Sequence, residues 1–332
     1  MRHKARVFGA LAATAILFST SASAQDAKHY RFAHDQQLNT GYSVAYDMFA
    51  AKLKELSKGT MIVDQYPGAQ LGQEPQLLQL VKGGDIEFAV VSSANTATIS
   101  PQAGVMSLHF LFRNADHVVK ALADKQVIAA IKAMIDDTTQ GLHVIATGSQ
   151  GVRNIYSKKE IRNVGDLKGV KIRVQATATE DAIFPAYGAQ TVHMPFGSVY
   201  TSLQTGVVEA AENSINVYLV NKHYEVAPVL SITEHEANNA LVYVSDKAWQ
   251  SFSPEQKQWV LTAADEISAK EPAKAFELEK AAATKLKSLG VKIVEDVDKK
   301  TFSTLSDPYL DKLAKELGPH AEKIKNLIRA IN

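Results

Sequence analysis

Cysteine is absent from this 332-residue chain, which excludes disulfide bonds, thiol nucleophiles, cysteine-ligated zinc and iron–sulfur clusters. An excess of charge of either sign is also lacking, since 36 Lys and Arg residues are balanced by 35 Asp and Glu residues. Nucleic acids and anionic membrane surfaces are bound by basic patches, so this balance argues against both as partners. Beyond the N-terminus, no apolar run reaches the roughly 18 residues that a membrane span requires.

Familiar catalytic and cofactor motifs are missing as well. The sequence contains no HExxH, no GxGxxG, no GxxxxGK[ST] and no GxSxG. Its ten histidines include no pair at metal-ligand spacing with a carboxylate on one clear element. The sequence therefore predicts a protein that is not an enzyme and that holds no metal or cofactor.

The first 24 residues differ from the rest. Three basic residues precede an apolar run from Val7 to Phe18, and small residues end at Ala24, before Gln25. This basic, apolar and small-residue order is typical of a secretory signal peptide, and the apolar run is too short to span a bilayer. We therefore predict export to the periplasm and cleavage after Ala24.

After this segment the chain alternates between strand and helix patterns. Strands are predicted over residues 29–33, 61–66, 86–91, 142–147, 152–157, 171–174, 191–194 and 241–244. Helices are predicted over residues 44–56, 74–82, 114–137, 177–187, 195–204 and 254–289, and further helical patterns extend to residue 331. This alternation indicates an α/β fold with a parallel or mixed sheet and helices on both faces. The last of those helices would be about 50 Å long, long enough to cross two domains, and Pro272 lies inside it.

Several strings resemble one family. They are G-V-R-N-I-Y-S (151–157), D-L-K-G-V-K-I-R-V (166–174), M-P-F-G-S-V-Y-T-S-L-Q-T-G-V-V-E (194–209), A-E-N (211–213), P-G-A-Q-L-G-Q-E (67–74), V-K-G-G-D-I-E-F (81–88) and K-H-Y-E-V (222–226). In this order they resemble the solute-binding proteins of TRAP transporters, the C4-dicarboxylate-binding family, over nearly all of the mature chain.

The resemblance implies a periplasmic binding protein of two α/β lobes, joined by crossover strands and spanned by the long helix. We expect lobe I to comprise residues 25–150 and 239–278, and lobe II residues 151–238 and 279–332. Such a protein is a monomer that closes on an organic acid and delivers it to the membrane permease subunits of the transporter.

The resemblance also assigns ligand-binding roles. Arg173 matches the arginine that grips the ligand carboxylate, for which a planar guanidinium offers two parallel donors. Arg153 matches a second arginine of the family, and Asn213 matches an asparagine whose amide both donates and accepts. Phe196 would form an apolar wall, or belong to the ordinary core. Glu74 would face the cleft from the first lobe, or simply begin a helix.

Further candidates follow predicted strands or precede the second arginine. His34 comes just after the first strand, and Ser93 and Asn95 follow the strand over residues 86–91. The carboxyl ends of strands are where ligands lie in open α/β sheets. Gln150 is a further partner for ligand hydroxyls, and Gln175 stands where many members of the family have proline.

Many hydroxyl partners beside two arginines favour a sugar acid, and the strings around Arg153 and Arg173 resemble members that bind hexuronates such as glucuronate or galacturonate. Sialic acid, 2-oxo acids and C4-dicarboxylates remain alternatives. Two other classes also remain: a binding protein for a sensor kinase, and a periplasmic enzyme using Glu74 and His34 as its acid and base.

Overall fold

The computed structural model describes residues 27–332. The predicted signal peptide and its cleavage site lie outside the described residues. Within the part of the chain that is described, no helix is both long and apolar enough to cross a membrane.

Nine strands and twelve α-helices alternate along residues 27–332. The strands are β1 (Lys28–Ala33), β2 (Met61–Tyr66), β3 (Phe88–Ser92), β4 (Leu142–Ser157), β5 (Lys171–Val174), β6 (Gln190–His193), β7 (Ala210–Ser214), β8 (Val229–Ser245) and β9 (Lys292–Val294). The helices are α1 (Gly41–Leu56), α2 (Glu74–Gly83), α3 (Ser93–Thr96), α4 (Ala115–Ala123), α5 (Lys125–Thr138), α6 (Ala178–Ala186), α7 (Val199–Thr205), α8 (Ile215–Val220), α9 (Asp246–Ser251), α10 (Pro254–Ser288), α11 (Lys299–Leu317) and α12 (Pro319–Ala330).

The strands form one mixed sheet in the order β2-β1-β3-β8-β4-β7-β5-β6, with β9 paired to β8. At one end, β2, β1 and β3 run parallel, and at the other end β7, β5 and β6 run parallel. The two antiparallel central strands β4 and β8 connect these parallel groups. The α/β fold with a mixed sheet and crossover strands is therefore confirmed, whereas the exact lobe boundaries stay a prediction.

The strand β4 is continuous where the sequence pattern predicted two strands, over 142–147 and 152–157. Its pairing with β8 shifts register between Ser149 and Val152, so the polar interruption is a bulge and not a turn. Gly151 sits in this bulge at φ +97°, and a Cβ there would lie 2.5 Å from the carboxyl carbon of Glu279. Only glycine fits this close approach without strain.

The single helix predicted over 114–137 is wrong, because the structure has two helices there, α4 and α5. Asn114 caps α4 as predicted, accepting from the His117 amide. Asp124 then interrupts the run with extended backbone and caps α5, where its carboxylate accepts from the amides of Gln126 and Val127. Asp124 is both the stop of one helix and the start signal of the next.

The long helix α10 has 35 residues and a length of about 50 Å. Two buried glutamates fasten it to other elements. Glu271 accepts from the Ser149 amide at 2.7 Å, which joins the helix to β4. Glu279, two turns later, accepts from the Asn216 amide at 2.7 Å, which joins it to the start of α8.

Three buried apolar clusters complete the architecture. One lies between α1, α10 and the strands β1, β3 and β8, and includes Phe32, Phe49 and Phe88. Another includes Tyr156 and Tyr218 and lies around β7, α7 and α8. The largest continues along the opposite face of the sheet, under α2, α4, α5, α6, α11 and α12.

Candidate ligand-binding site

A small enclosed cavity lies where the carboxyl ends of β1, β3, β5 and β7 meet the crossing strand β4. The space inside it that a water-sized sphere can occupy is only about 10 Å³, far less than the ~300–1,000 Å³ of ordinary ligand pockets, so the residues around it are closed on one another. Its lining is almost entirely polar: Asp35, Gln36, Tyr42, Glu74, Ser92, Asn95, Gln150, Arg153, Arg173, Gln175, Phe196, Asn213 and Asn238. We call Asp35, Gln36, Tyr42, Glu74, Ser92 and Asn95 the acidic wall. We call Arg153, Arg173, Gln175, Phe196, Asn213 and Asn238 the basic wall.

Most residues selected from the sequence come together at this cavity. Nine residues were predicted from the sequence to bind the ligand, and seven of them line the cavity: Arg173, Arg153, Asn213, Glu74, Asn95, Gln150 and Phe196. The other two, His34 and Ser93, are buried but are not part of the lining. Each has a neighbour in the lining instead, Asp35 beside His34 and Ser92 beside Ser93.

His34 is held in the protein interior away from the cavity. Its Nε2 lies 3.0 Å from the Gln65 side-chain amide nitrogen, and its ring meets the Tyr42 ring edge-on. Burial lowers the pKa of His34 to about 4, so the ring is neutral at neutral pH.

Glu74 is the hub of the acidic wall. As the first residue of α2 it accepts four hydrogen bonds, from Tyr42 Oη at 2.7 Å, the Ser92 amide at 2.9 Å, Ser92 Oγ at 2.5 Å and Asn95 Nδ2 at 2.5 Å. A carboxylate has about four acceptor directions, so protein donors already fill them. Glu74 thereby fixes Tyr42, Ser92 and Asn95 at the cavity surface.

The other carboxylate of the acidic wall, Asp35, has far fewer partners. Its Oδ1 accepts from Gln36 Nε2 at 2.9 Å, and this bond fixes the orientation of the Gln36 amide. The side-chain carbonyl oxygens of Gln36 and Gln150 are buried and have no hydrogen-bond partner. Burial, followed by repulsion from Glu74, raises the pKa of Asp35 well above its usual range.

Arg173 is the unpaired charge of the basic wall, because no carboxylate of the described residues forms an ion pair with it. It lies on β5 between β6 and β7, and the residue is only 2% exposed. Its Nε and Nη2 donate to the Met194 carbonyl at 3.2 and 3.0 Å, and its guanidinium carbon lies 5.9 Å from the centre of the Phe196 ring. Burial lowers the pKa of Arg173, as expected of a cation without a close counter-charge.

Arg153 differs because it is already paired. On β4, its Nε and Nη2 both donate to the Glu212 carboxylate, and Nη2 also donates to the Glu212 carbonyl at 3.0 Å. Glu236 on β8 adds a second carboxylate, 3.4 Å from the Arg153 Nε. Although burial opposes ionisation, Arg153 lowers the pKa of Glu212 to about 2, so the pair is ionic.

A buried polar cluster lies behind this pair. His109, His235 and Glu236 bring potential metal-ligating atoms within 4.8 Å of one another. Burial lowers the pKa of His109 to about 3 and that of His235 to about 4, so both rings are neutral. Burial, followed by repulsion from Glu180, raises the pKa of Glu236 well above its usual range, so a neutral carboxyl group beside two neutral rings leaves no charge for a metal ion to balance.

Asn213 presents its amide nitrogen to the site. Its Oδ1 accepts from Asn238 Nδ2 at 2.8 Å and from the Ser214 amide at 2.9 Å. Two protein donors thus fix the orientation of the Asn213 side chain, and its Nδ2 remains for a ligand acceptor.

Two hydrogen bonds connect the walls across the cavity region. Gln175 Nε2 donates to Ser92 Oγ at 2.8 Å, and the Gly197 amide donates to Gln73 Oε1 at 3.0 Å. The protein is therefore in a closed form in which both walls contact each other directly.

Six lining residues were not selected from the sequence as site residues: Asp35, Gln36, Tyr42, Ser92, Gln175 and Asn238. A signal existed for four of them, since Asp35 and Gln36 follow β1, Ser92 ends β3 and Gln175 follows β5, at the strand ends where ligands lie. Tyr42 on α1 and Asn238 within β8 carry no local signal, because their positions depend on long-range packing.

Comparisons with known proteins agree with this geometry. Residues 32–317 match the model of the bacterial extracellular solute-binding proteins, family 7. The chain is 31% identical over 310 residues to the 2,3-diketo-L-gulonate-binding periplasmic protein of Escherichia coli K12, covering 93% of both chains.

Solved TRAP periplasmic solute-binding proteins have the same two-lobed fold. One from Pseudomonas putida F1, with bound D-glucuronate, has a TM-score of 0.85 and 28% identity, over 92% of this chain and 98% of that one. Another from Xanthobacter autotrophicus Py2, with bound β-D-galacturonate, has a TM-score of 0.84 and 28% identity, over 91% of this chain and 100% of that one. The family resemblance and the two-lobed fold predicted from the sequence are thereby confirmed.

Proposed function

This chain belongs to family 7 of the bacterial extracellular solute-binding proteins, the binding proteins of TRAP transporters, and from that premise we propose that it captures a hexuronate, glucuronate or galacturonate, between its acidic and basic walls. The site residues predicted from the sequence that line the cavity would bind this ligand, with Arg173 gripping its carboxylate.

The observation that carries the proposal is the buried Arg173 without a carboxylate partner. An unpaired ion in the protein interior is costly unless a counter-charge meets it. A ligand carboxylate supplies that charge, and the flat guanidinium binds its two oxygens through parallel donors. Arg153 is satisfied by Glu212, so we assign it the secondary contact.

The hydroxyl groups of the ligand have partners too. The unpartnered carbonyl oxygens of Gln36 and Gln150 are acceptors that a hydroxyl donor would satisfy, and a buried acceptor left unpaired costs about 1–3 kcal/mol. A C4-dicarboxylate without hydroxyls leaves both unpaired. The acids bound by the similar Pseudomonas and Xanthobacter proteins have both a carboxylate and hydroxyls.

One other acid is favoured by a specific observation. The E. coli relative binds 2,3-diketo-L-gulonate according to its name, a six-carbon sugar acid with the same carboxylate. This 2-oxo acid is therefore the second candidate ligand. An enzyme remains the less favoured class, because His34 lies outside the cavity lining and four protein donors already engage Glu74.

The site of action follows from the predicted export. The protein would act in the periplasm as a monomer, after cleavage at Ala24, and would deliver its acid to the TRAP membrane permease. We expect mass spectrometry of periplasmic material to find a chain that begins at Gln25. A chain that retains Met1 would contradict the predicted cleavage.

The function itself is tested by a thermal-shift screen of the mature protein, followed by calorimetry of the hits. A ligand that binds only the folded state raises the unfolding temperature by mass action. We expect glucuronate or galacturonate to stabilise the protein, and glucose and succinate to do so much less. Stabilisation by succinate alone would favour the dicarboxylate reading, and no response to any sugar acid would refute the proposal.

A further inference from the structure

Two carboxylates share the acidic wall but differ in how their charge is satisfied. Glu74 accepts four hydrogen bonds, and the direction of the one from the Ser92 hydroxyl is fixed: because Ser92 Oγ accepts from Gln175 Nε2, its own proton goes to Glu74. Asp35 accepts a side-chain hydrogen bond from Gln36 alone among the described residues. Of the two, Asp35 is the carboxylate whose negative charge is poorly stabilised.

The charges of the closed cavity do not balance once an acid enters. Arg153 is already engaged by Glu212, so Arg173 is the remaining cation among the lining residues. The ligand carboxylate takes up the charge of Arg173. Asp35 and Glu74 are then two buried negative charges beside a third, without a further cation among the described residues that line the site.

We propose that Asp35 is a further ligand-binding residue, that it binds as a neutral carboxylic acid, and that the protein therefore takes up one proton with each molecule of acid. This proposal rests on the proposed function, since it requires the ligand to bring a carboxylate. A neutral Asp35 donates its O–H to a ligand oxygen and accepts a ligand hydroxyl through its carbonyl oxygen, so a sugar hydroxyl suits it in either direction.

Burial and the neighbouring carboxylate outweigh the groups that favour an ionised Asp35. Glu74 on α2 repels its charge, and Tyr42 on α1 is held as a neutral phenol, its pKa raised well above the usual range by burial. Arg173 on β5 favours the ionised form, but the ligand carboxylate neutralises that arginine. His34, the preceding residue, is uncharged at neutral pH and offers no counter-charge.

These surroundings of Asp35 determine how the affinity for the acid changes with pH. In the open, water-filled cleft, Asp35 ionises as a solvated aspartate does, whereas closure raises its pKa well above that range. At a pH between the open-state pKa and the closed-state pKa, the closed complex holds one proton more than the open protein. Affinity for the acid therefore rises as the pH falls, by up to about 10-fold per pH unit.

The test is calorimetry of D-glucuronate and D-galacturonate binding to the mature protein at pH 7, in two buffers of different ionisation enthalpy. We expect an uptake approaching one proton per ligand. In Asp35→Asn, whose amide imitates the neutral acid without having to take up a proton, we expect no proton uptake and an affinity that no longer changes with pH, so that wild type gains affinity relative to the variant as the pH falls. Asp47→Asn, a change at an exposed carboxylate on α1, should keep the wild-type uptake.

The outcomes of this experiment distinguish a failure of the proposed function from a failure of the proposed role of Asp35. If neither uronate nor any other sugar acid binds, the proposed function fails. If a uronate binds without proton uptake, or if Asp35→Asn keeps the full uptake, the role of Asp35 is overturned while the function stands. Should Asp35→Asn not fold by circular dichroism, infrared difference spectra of the wild type decide: a protonated-carboxyl band must appear on ligand addition, and its absence refutes the proposal.

Discussion

Six lining residues face the cavity from each wall, but the two walls hold their buried charge differently. In the acidic wall, one carboxylate is fully satisfied by neutral donors and the other has a single partner. In the basic wall, one guanidinium is fully satisfied by a carboxylate and the other meets only a backbone carbonyl and an aromatic ring. Each wall thus contains one charged group that other protein groups satisfy and one that has few partners, and the latter is the group that our proposals assign to the ligand.

This contrast predicts that one charged group of each wall serves the stability of the fold and that the other serves ligand binding. Arg153 and Glu212 are both ionised and buried, so losing either leaves an uncompensated charge in the fold. Arg173 has no such partner to leave behind, so its loss should be felt mainly when an acid binds. Predictions that target one group at a time test whether this division holds.

The largest effect is expected for Glu212→Gln, which removes the counter-charge of Arg153. Breaking a buried ion pair from one side costs about 3–5 kcal/mol in the free energy of unfolding. Because the folded-state pKa of Glu212 is lowered to about 2, its contribution is complete above the unfolded value of about 4.3 and is lost as pH falls towards 2. Denaturant titrations should therefore show a large deficit at pH 7 that shrinks in acid.

The control for that measurement is Glu277→Gln on α10, whose partly exposed carboxylate pairs with Lys274 at 2.8 Å. Exposed pairs contribute little, so this variant should unfold close to the wild type. Equal stabilities of Glu212→Gln and wild type at pH 7 would remove the Arg153–Glu212 pair from the fold-maintaining role.

The second-largest effect is expected for Arg173→Ala, as a loss of affinity for the ligand. Truncating one side of a buried, hydrogen-bonded charge pair costs roughly 2–5 kcal/mol, a loss of about 30-fold to several thousand-fold in affinity for the uronate. Arg173→Lys keeps the charge without the two-pronged geometry and should recover only part of this loss. Titration calorimetry measures both, with circular dichroism to check folding.

Arg162→Ala is the matched arginine control, because Arg162 is half-exposed and pairs with Glu160 at 2.7 Å. Its affinity should equal that of wild type. A folded Arg173→Ala protein that binds its acid within about threefold of wild type would exclude the carboxylate grip, and with it the division between the two arginines.

The smallest effect concerns the contact between the walls. Gln73→Ala removes the acceptor of the Gly197 amide without changing a residue that lines the cavity. A single hydrogen bond contributes about 0.5–1.5 kcal/mol. Losing this bond lowers the population of the closed form, so we expect the affinity for the acid to fall by about 2- to 10-fold.

The control is Gln76→Ala. Gln76 Oε1 accepts from the Gln73 amide at the start of α2, so this variant weakens the same helix cap but keeps the bond to Gly197. Equal affinities of the two variants would attribute the effect to the cap rather than to closure.

The sequence predicted those parts of the fold whose signals are local. The strands over 61–66 and 171–174 have the predicted bounds, and α10 ends within one residue of its predicted end. Less local features were missed. The polar residues around Gly151 resemble a turn, and only the pairing of β4 with β8 along their length keeps that strand continuous.

The candidate site shows the same limit. Arg173 was assigned by resemblance alone, since an arginine on a strand is ordinarily a surface residue. The direct partners of Glu74 and the pairing of Arg153 with Glu212 depend on helices and strands that are distant in sequence, and neither pattern nor spacing reveals them. For this reason the sequence assigned both arginines to the ligand, Arg173 as the carboxylate grip and Arg153 as a second contact, whereas the structure shows that Arg153 is already paired with Glu212.

The narrow cavity between touching walls also has a consequence for the timing of transport. A ligand enclosed by buried side chains and by cross-cavity hydrogen bonds leaves only when the walls separate. Its residence time therefore has a lower bound set by the rate of opening, whatever its affinity. A permease that holds the two walls apart would shorten this residence time without competing for a single contact to the acid.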